Sequence, residues 1–226
     1  MISIRHLHKS YGKHQILKDL HIDFQAGKVY GIVGANGAGK TTFFRCLAGL
    51  EKYEGHISAN LYPLKEHLGY LPSEIYFLPK ITGKEYLTLL IEARNKKPQN
   101  LYNQNIFDLP LDQYVSSYST GMKKKLSILG VLLQNNSIYI LDEPYNGLDF
   151  QSSLVFTDII QRLRSKGKTV ILSSHIFGSL EETCDSITLL QDGHFNISAD
   201  KENFSVLKHR ITEELLHKNL DDIFDL

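Results

Sequence analysis

Val29-Tyr30-Gly31-Ile32-Val33-Gly34-Ala35-Asn36-Gly37-Ala38-Gly39-Lys40-Thr41-Thr42 decides how the rest of the chain is read. Its first five residues form an apolar strand run, and Gly34 to Thr41 matches G-x-x-x-x-G-K-[ST]. Residues 43–50 beyond it read as a helix. Strand, glycine-rich turn and helix together make the setting in which backbone N–H groups close around phosphate oxygens. The positive end of the helix adds its field to theirs. In that setting Lys40 reaches the β- and γ-phosphates of a nucleotide and the Thr41 hydroxyl ligates Mg²⁺. Asn36, Gly37, Ala38, Gly39 and Thr42 complete the cradle.

Far downstream, Ile138-Tyr139-Ile140-Leu141-Asp142-Glu143 is a second apolar strand run that delivers two carboxylates at its C-terminal end. Open α/β sheets place their ligands at that end of their strands. Asp142 is expected to hold Mg²⁺, through water, and Glu143 to orient or deprotonate an attacking water.

Outward from these two segments, residues 20–24 read as a strand that turns at Ala26-Gly27 into the loop-bearing one. Thr82 and Glu85 have capping-box spacing, and Tyr86, Leu89, Leu90 and Ala93 follow at helical intervals until Lys96-Lys97-Pro98. A further helix starts near Ser119 and puts Leu126, Leu129, Gly130 and Leu133 on one face. Residues 74–134 therefore read as a helical lobe inserted in an α/β core, within a single domain spanning 1–226. The core resumes with a helix over 154–163, a strand over 170–173, and strands over 187–190 and 195–197 flanking an Asp192-Gly193 hairpin turn. The expected fold is α/β: a mostly parallel sheet with helices on both faces, an antiparallel β subdomain at the N-terminus and the inserted helices.

Lys+Arg and Asp+Glu balance at 25 each, which argues against nucleic acid or anionic lipid as a partner. Lys123-Lys124-Lys125 reads as the solvated side of its helix. Cys46 and Cys184 have no metal-binding spacing, and His6 and His8 share a strand face without making a metal site by themselves. The opening residues show no leader pattern, and the longest apolar runs fall well short of the ~20 residues needed to cross a bilayer.

Tyr118-Ser119-Thr120-Gly121-Met122 before the acidic strand and Ser173-Ser174-His175 after it narrow the choice. With them the chain resembles the ABC (ATP-binding cassette) ATPases along nearly its whole length. Ser119 to Met122 is similar to the family signature, Asn146-Gly147-Leu148-Asp149 to its D-loop and His175 to its switch histidine. Tyr11 is similar to the aromatic that stacks on adenine, and Gly69-Tyr70-Leu71-Pro72 to the approach to the Q-loop. The resemblance implies an ATPase that binds ATP and Mg²⁺, with Glu143 and His175 acting on the attacking water. It implies two copies, or a paired nucleotide-binding subunit, closing around two ATP molecules, each presenting Ser119 and Gly121 to the other's γ-phosphate, with Asp149 of the D-loop among the nucleotide-binding residues. Integral membrane permease subunits would hold the chain on the inner, cytoplasmic face of the cell membrane.

Two positions depart from the family pattern. Thr120 and Met122 stand where the signature has Gly and Gln, and Ser-x-Gly-Met-Lys is similar to the exporter-type branch. The ending Asn219-Leu220-Asp221-Asp222-Ile223-Phe224 suits that branch too. Ser73 stands where the Q-loop glutamine or glutamate reaches Mg²⁺ and water; Glu74 or a bridging water is the expected substitute. The rival readings are a non-transport ABC ATPase and a weakly hydrolysing regulator. The first needs paired cassettes or long coiled-coil insertions that do not fit in 226 residues, and the second draws only on Ser73.

Overall fold

The computed structural model describes residues 1–216, so the exporter-like ending at 219–224 lies outside the described residues. Strands β1 (Ile2–Tyr11) and β2 (His14–Phe24) pair antiparallel, and β4 (Glu54–Ala59) joins the other edge of β1. The second sheet runs β5 (Leu68–Leu71), β6 (Ile138–Leu141), β7 (Thr169–Ser174), β3 (Val29–Val33), β8 (Ser186–Gln191), β9 (His194–Asp200). All pairings in it are parallel except β8–β9. The expected α/β architecture is therefore present. Asp192 and Gly193 both take positive φ, 51° and 82°, as the two central residues of a tight hairpin turn do.

The parallel strands are buried along nearly their whole length because both faces are covered, and β3 and β6 are apolar throughout. Ile32, Ile140 and Ile171 point into a core shared with the antiparallel sheet and with α1 (Lys40–Leu47), whose Phe43 and Phe44 are wholly buried there. Val33, Leu141 and Leu172 point the other way, onto α5 (Phe150–Ser165), α6 (Phe177–Thr183) and α7 (Phe204–Leu216). This strand order sets the C-terminal ends of β3, β6 and β7 side by side, so the glycine loop, Asp142-Glu143 and His175 emerge together.

A short helix α2 (Leu64–His67) leads directly into β5, and between β5 and β6 the chain forms α3 (Gly83–Glu92) and α4 (Thr120–Leu133) around a third core. The capping box at the start of α3 is complete: Thr82 Oγ1 accepts the Glu85 N–H and Glu85 accepts the Thr82 N–H. Its buried face is turned from expectation. Gly83, Leu87 and Ile91 are buried, whereas Leu89 is 48% exposed. Residues 86–91 are apolar nearly all round, so α4 decides which side is covered: Gly130 has no Cβ, and one there would lie 2.6 Å from Leu90.

α4 is buried on two sides, with Leu126 and Leu129 in the lobe core and Ile128 and Val131 in the main core. That overturns the reading of Lys123-Lys124-Lys125 as a solvated face. Lys124 is 4% exposed and its Nζ finds no hydrogen-bond partner among the described residues, while Lys125 pairs with Asp149 at 2.7 Å. Burial pushes the Lys124 ammonium down to about 8, against the opposing pull of Asp142 and then Glu143. The neighbouring aliphatic residues, each contributing roughly 1.5–3 kcal/mol on burial, carry the lysine inside.

Because its folded pKa lies below the unfolded value, the unfolded chain binds more protons between the two, and stability rises with pH from about 8 toward 10.5. At pH 7 the penalty is present in full. Lys124→Met is expected to stabilise the nucleotide-free protein by roughly 2–3 kcal/mol at pH 7 and to remove that alkaline rise. Urea unfolding at pH 7 and pH 10 measures both, and an equal gap at the two pH values would show that Nζ reaches water.

Candidate functional site

The loop after β3 closes on itself through glycines that no other residue replaces. A Cβ on Gly34 would lie 2.3 Å from the Leu190 carbonyl oxygen, and Gly39 caps α1 in a left-handed conformation at φ 106°. α1 starts at Lys40, three residues earlier than expected, so the loop's N–H groups and the helix end converge. Lys40 is buried and donates to the Gly34 and Ala35 carbonyls at 2.7 and 3.2 Å, and Glu143 Oε1 is 3.6 Å from its Nζ.

Asp142 at the end of β6 is fully buried and accepts two hydroxyl hydrogen bonds. Thr41 Oγ1 donates to one oxygen at 2.6 Å and Ser173 Oγ to the other at 2.7 Å. The Ser173 oxygen in turn accepts the Glu143 N–H at 2.9 Å. The sequence reading gave Ser173 no role of its own; the available signal was two consecutive hydroxyls, Ser173 and Ser174, at the buried end of a strand just before His175. Glu143 sits at φ 47°, a conformation that costs on the order of 1 kcal/mol outside glycine and turns its side chain away from the strand. Its Oε2 meets His175 Nδ1 at 2.9 Å. A carboxylate held between an imidazole and an ammonium in this way can take a proton from a water placed beside it.

Two cavities flank the loop, each within the range that holds a small ligand. One, about 420 Å³, is lined by Gly37, Gly39, Lys40, Thr41, Thr42, Ser73 and Glu143 among others. The other, about 560 Å³, is lined by Asn36, Ala38 and His175 together with the β8–β9 turn. Ser73 thus belongs to the cavity lining, while Glu74, expected as a substitute for a longer residue there, is exposed and outside both linings.

Four expected residues stand elsewhere. Ser119 caps α4, accepting the Met122 N–H at 3.2 Å, and Gly121 packs so closely on the Gly147 carbonyl that a Cβ would lie 2.9 Å from it. Asp149 caps α5 and is held well below the ordinary carboxylate range by Lys125 first and then by the Ser152 N–H and hydroxyl. These three form one cluster outside both cavity linings. Tyr11, 45% exposed at the end of β1, has the Lys9 ammonium 4.5 Å from its ring centroid and lies outside both linings as well.

A family model described as "ABC transporter" matches residues 17–146. An uncharacterised ABC transporter ATP-binding protein of Methanocaldococcus jannaschii is 32% identical over 85% of this chain and 74% of its own length. A lantibiotic transport ATP-binding protein of Streptococcus pyogenes is 29% identical over 96% of this chain and 98% of its own. Among solved structures, a dimeric ATP-binding cassette in a post-hydrolysis state bound to ADP and Pi shares the fold. Its TM-score is 0.80 and its identity 20%, over 89% of this chain and 99% of that one. The match runs through the phosphate-binding loop and the acidic strand alike, and the chain belongs to the ABC transporter family as one of its ATP-binding domains.

Proposed function

We propose that this chain hydrolyses MgATP between two copies of itself, or between itself and a paired subunit, and thereby drives export through separate membrane permeases. The observation that carries the reading is the line Lys40–Glu143–His175 beside the Thr41–Asp142 pair, all at the C-terminal edge of one sheet. Thr41 Oγ1 and Asp142 offer hard oxygen donors at adjacent positions, a set that fits Mg²⁺, with Asp142 acting through water. When bound, that ion neutralises charge on the phosphates. Lys40 and the loop N–H groups hold the phosphates in line, Glu143 takes the proton of the attacking water, and His175 orients Glu143.

Ser119, Gly121 and Asp149 lie outside the cavity lined by Lys40, which supports their serving a nucleotide held by the other copy. A site split in this way ties hydrolysis to closure. The segment after Ser73 carries Tyr76 and Leu78, 79% and 54% exposed, as an apolar contact for a permease helix at the inner membrane face. Tyr11 stacks on the adenine, and export is favoured by the signature sequence and by the name of the Streptococcus relative. Among the described residues no helix is long and apolar enough to cross a membrane, which supports a role for separate permease chains.

Glu143→Gln is expected to lower ATP turnover about a thousandfold, within the usual range for loss of a general base, and to trap an ATP-dependent dimer visible by light scattering. A variant that stays monomeric in MgATP would overturn the two-copy reading. Ser119→Glu, which sets a carboxylate toward the partner's γ-phosphate, is expected to abolish that dimer while ATP binding to the monomer persists. Ser73→Gln is expected to lower the Mg²⁺ concentration needed for half-maximal turnover, because the longer amide reaches where serine cannot. An unchanged Mg²⁺ dependence would remove Ser73 from the site.

A further inference from the structure

Away from the nucleotide site, His6, Asp19 and His21 gather on the exposed face of the antiparallel sheet. Asp19 Oδ1 lies 2.9 Å from His6 Nδ1 and 3.0 Å from His21 Nε2, and the three ligand atoms all lie within 4.8 Å of one another. The two imidazoles meet edge to face with centroids 4.4 Å apart.

Two successive bulges, one on each strand, build this arrangement. Between the pairs Ile4–Ile22 and Leu7–Leu20, β1 sets Arg5 and His6 against His21 alone. Between Leu7–Leu20 and Lys9–Leu17, β2 sets Lys18 and Asp19 against His8 alone. His6 and Asp19 take left-handed conformations, φ 52° and 55°, in strands that are otherwise extended. Each such residue costs on the order of 1 kcal/mol, and bulges re-aim side chains. Here they turn out of ladder register and toward one point. Gly55 on β4 locks the first bulge, since a Cβ there would lie 2.0 Å from the His6 carbonyl oxygen.

His8 has a different place. Its Nδ1 accepts the Asp19 backbone N–H at 3.1 Å, so its proton is on Nε2, 3.5 Å from Asp19 Oδ1. It braces Asp19 and has no lone pair free toward the cluster. That leaves two imidazole nitrogens and one carboxylate oxygen, converging and open to solvent on the fourth side. Such a mixed set suits borderline divalent ions, whereas Mg²⁺ favours oxygen alone. The cysteines offer no competing site, because Cys46 and Cys184 are both buried.

We propose that His6, Asp19 and His21 form a surface site for a divalent ion of the Zn²⁺ class, with water completing its coordination. A bound ion pins β1 to β2, whose far ends carry Tyr11 and the Ile16 that lines both cavities beside the glycine loop.

The test is calorimetric titration of the tag-free, nucleotide-free chain with Zn²⁺ at neutral pH. Co²⁺ and its visible absorption give a second readout on the unaltered protein, as does broadening of histidine ring NMR signals by that ion. One ion per chain is expected, with His6 and His21 signals broadened first. His6→Gln and His21→Gln are each expected to weaken binding at least about tenfold, the least that loss of even an outer-shell partner of a ligand costs. Asp142→Asn is expected to leave Zn²⁺ binding unchanged. No binding, undiminished binding in either histidine variant, loss confined to Asp142→Asn, or broadening of other histidines first would each overturn the proposal.

Discussion

The carboxylate of Asp142 is shut away from water entirely, and a buried charge of that kind is tolerated only where its oxygens are fully engaged. Its two oxygens take hydroxyl hydrogen bonds from α1 and β7, and its backbone N–H goes to Leu71 on β5. Three elements distant in sequence are thereby fixed to the end of β6. Removing either hydroxyl leaves an oxygen unpaired in the interior, a loss of about 1–3 kcal/mol or more for a charged group. The same bonds set the height of Thr41 against Glu143 and place Ser173 where it can hold the Glu143 backbone. The geometry of the proposed site and the packing of the sheet are here a single set of contacts.

Around that point the chain divides its labour between rigid and strained backbone. β3 and β6 are straight, apolar and covered on both faces, so their ends are fixed by packing. What projects beyond those ends is held in conformations that ordinary residues avoid: Gly37 and Gly39 in the loop, and Glu143 itself. Strain at Glu143 persists because β6, Ser173 and His175 together over-determine it.

Much of this was legible in the sequence because it rests on local rules. A strand buried on both sides reads as an unbroken apolar run, so β3 and β6 fell where residues 29–33 and 138–141 predicted. A glycine loop, a capping box and an Asp-Gly turn each have one conformational solution. The misses share a different cause. β4 has little beyond Ile57 and Ala59 to mark it, being an edge strand that is mostly exposed. The bulges at His6 and Asp19 interrupt the alternation from Ile4 to Leu7 and from Leu17 to Leu20, and nothing local in those residues announces them. Three consecutive lysines look solvated on any helical wheel. Only the fact that α4 lies between two cores puts Lys124 inside. Glu74 likewise has suitable chemistry beside Ser73, but the chain points it outward.

α4 connects these observations. Its first turn carries Ser119 and Gly121 at the surface, its middle buries one face in each of two cores, and Lys125 ties it to Asp149 at the start of α5. A helix gripped on opposite faces cannot rotate or slide without disturbing both cores, so Ser119 and Gly121 at its start are held in place by packing far from them. The Lys124 ammonium, which has no hydrogen-bond partner among the described residues, lies on the same helix, within the field of Asp142 and Glu143. Both carboxylates pull against the burial that lowers the Lys124 pKa, so charge at the end of β6 and charge inside α4 bear on each other. The helical lobe thus meets the end of β6 in two ways, by the packed faces of α4 and by the charge of Lys124.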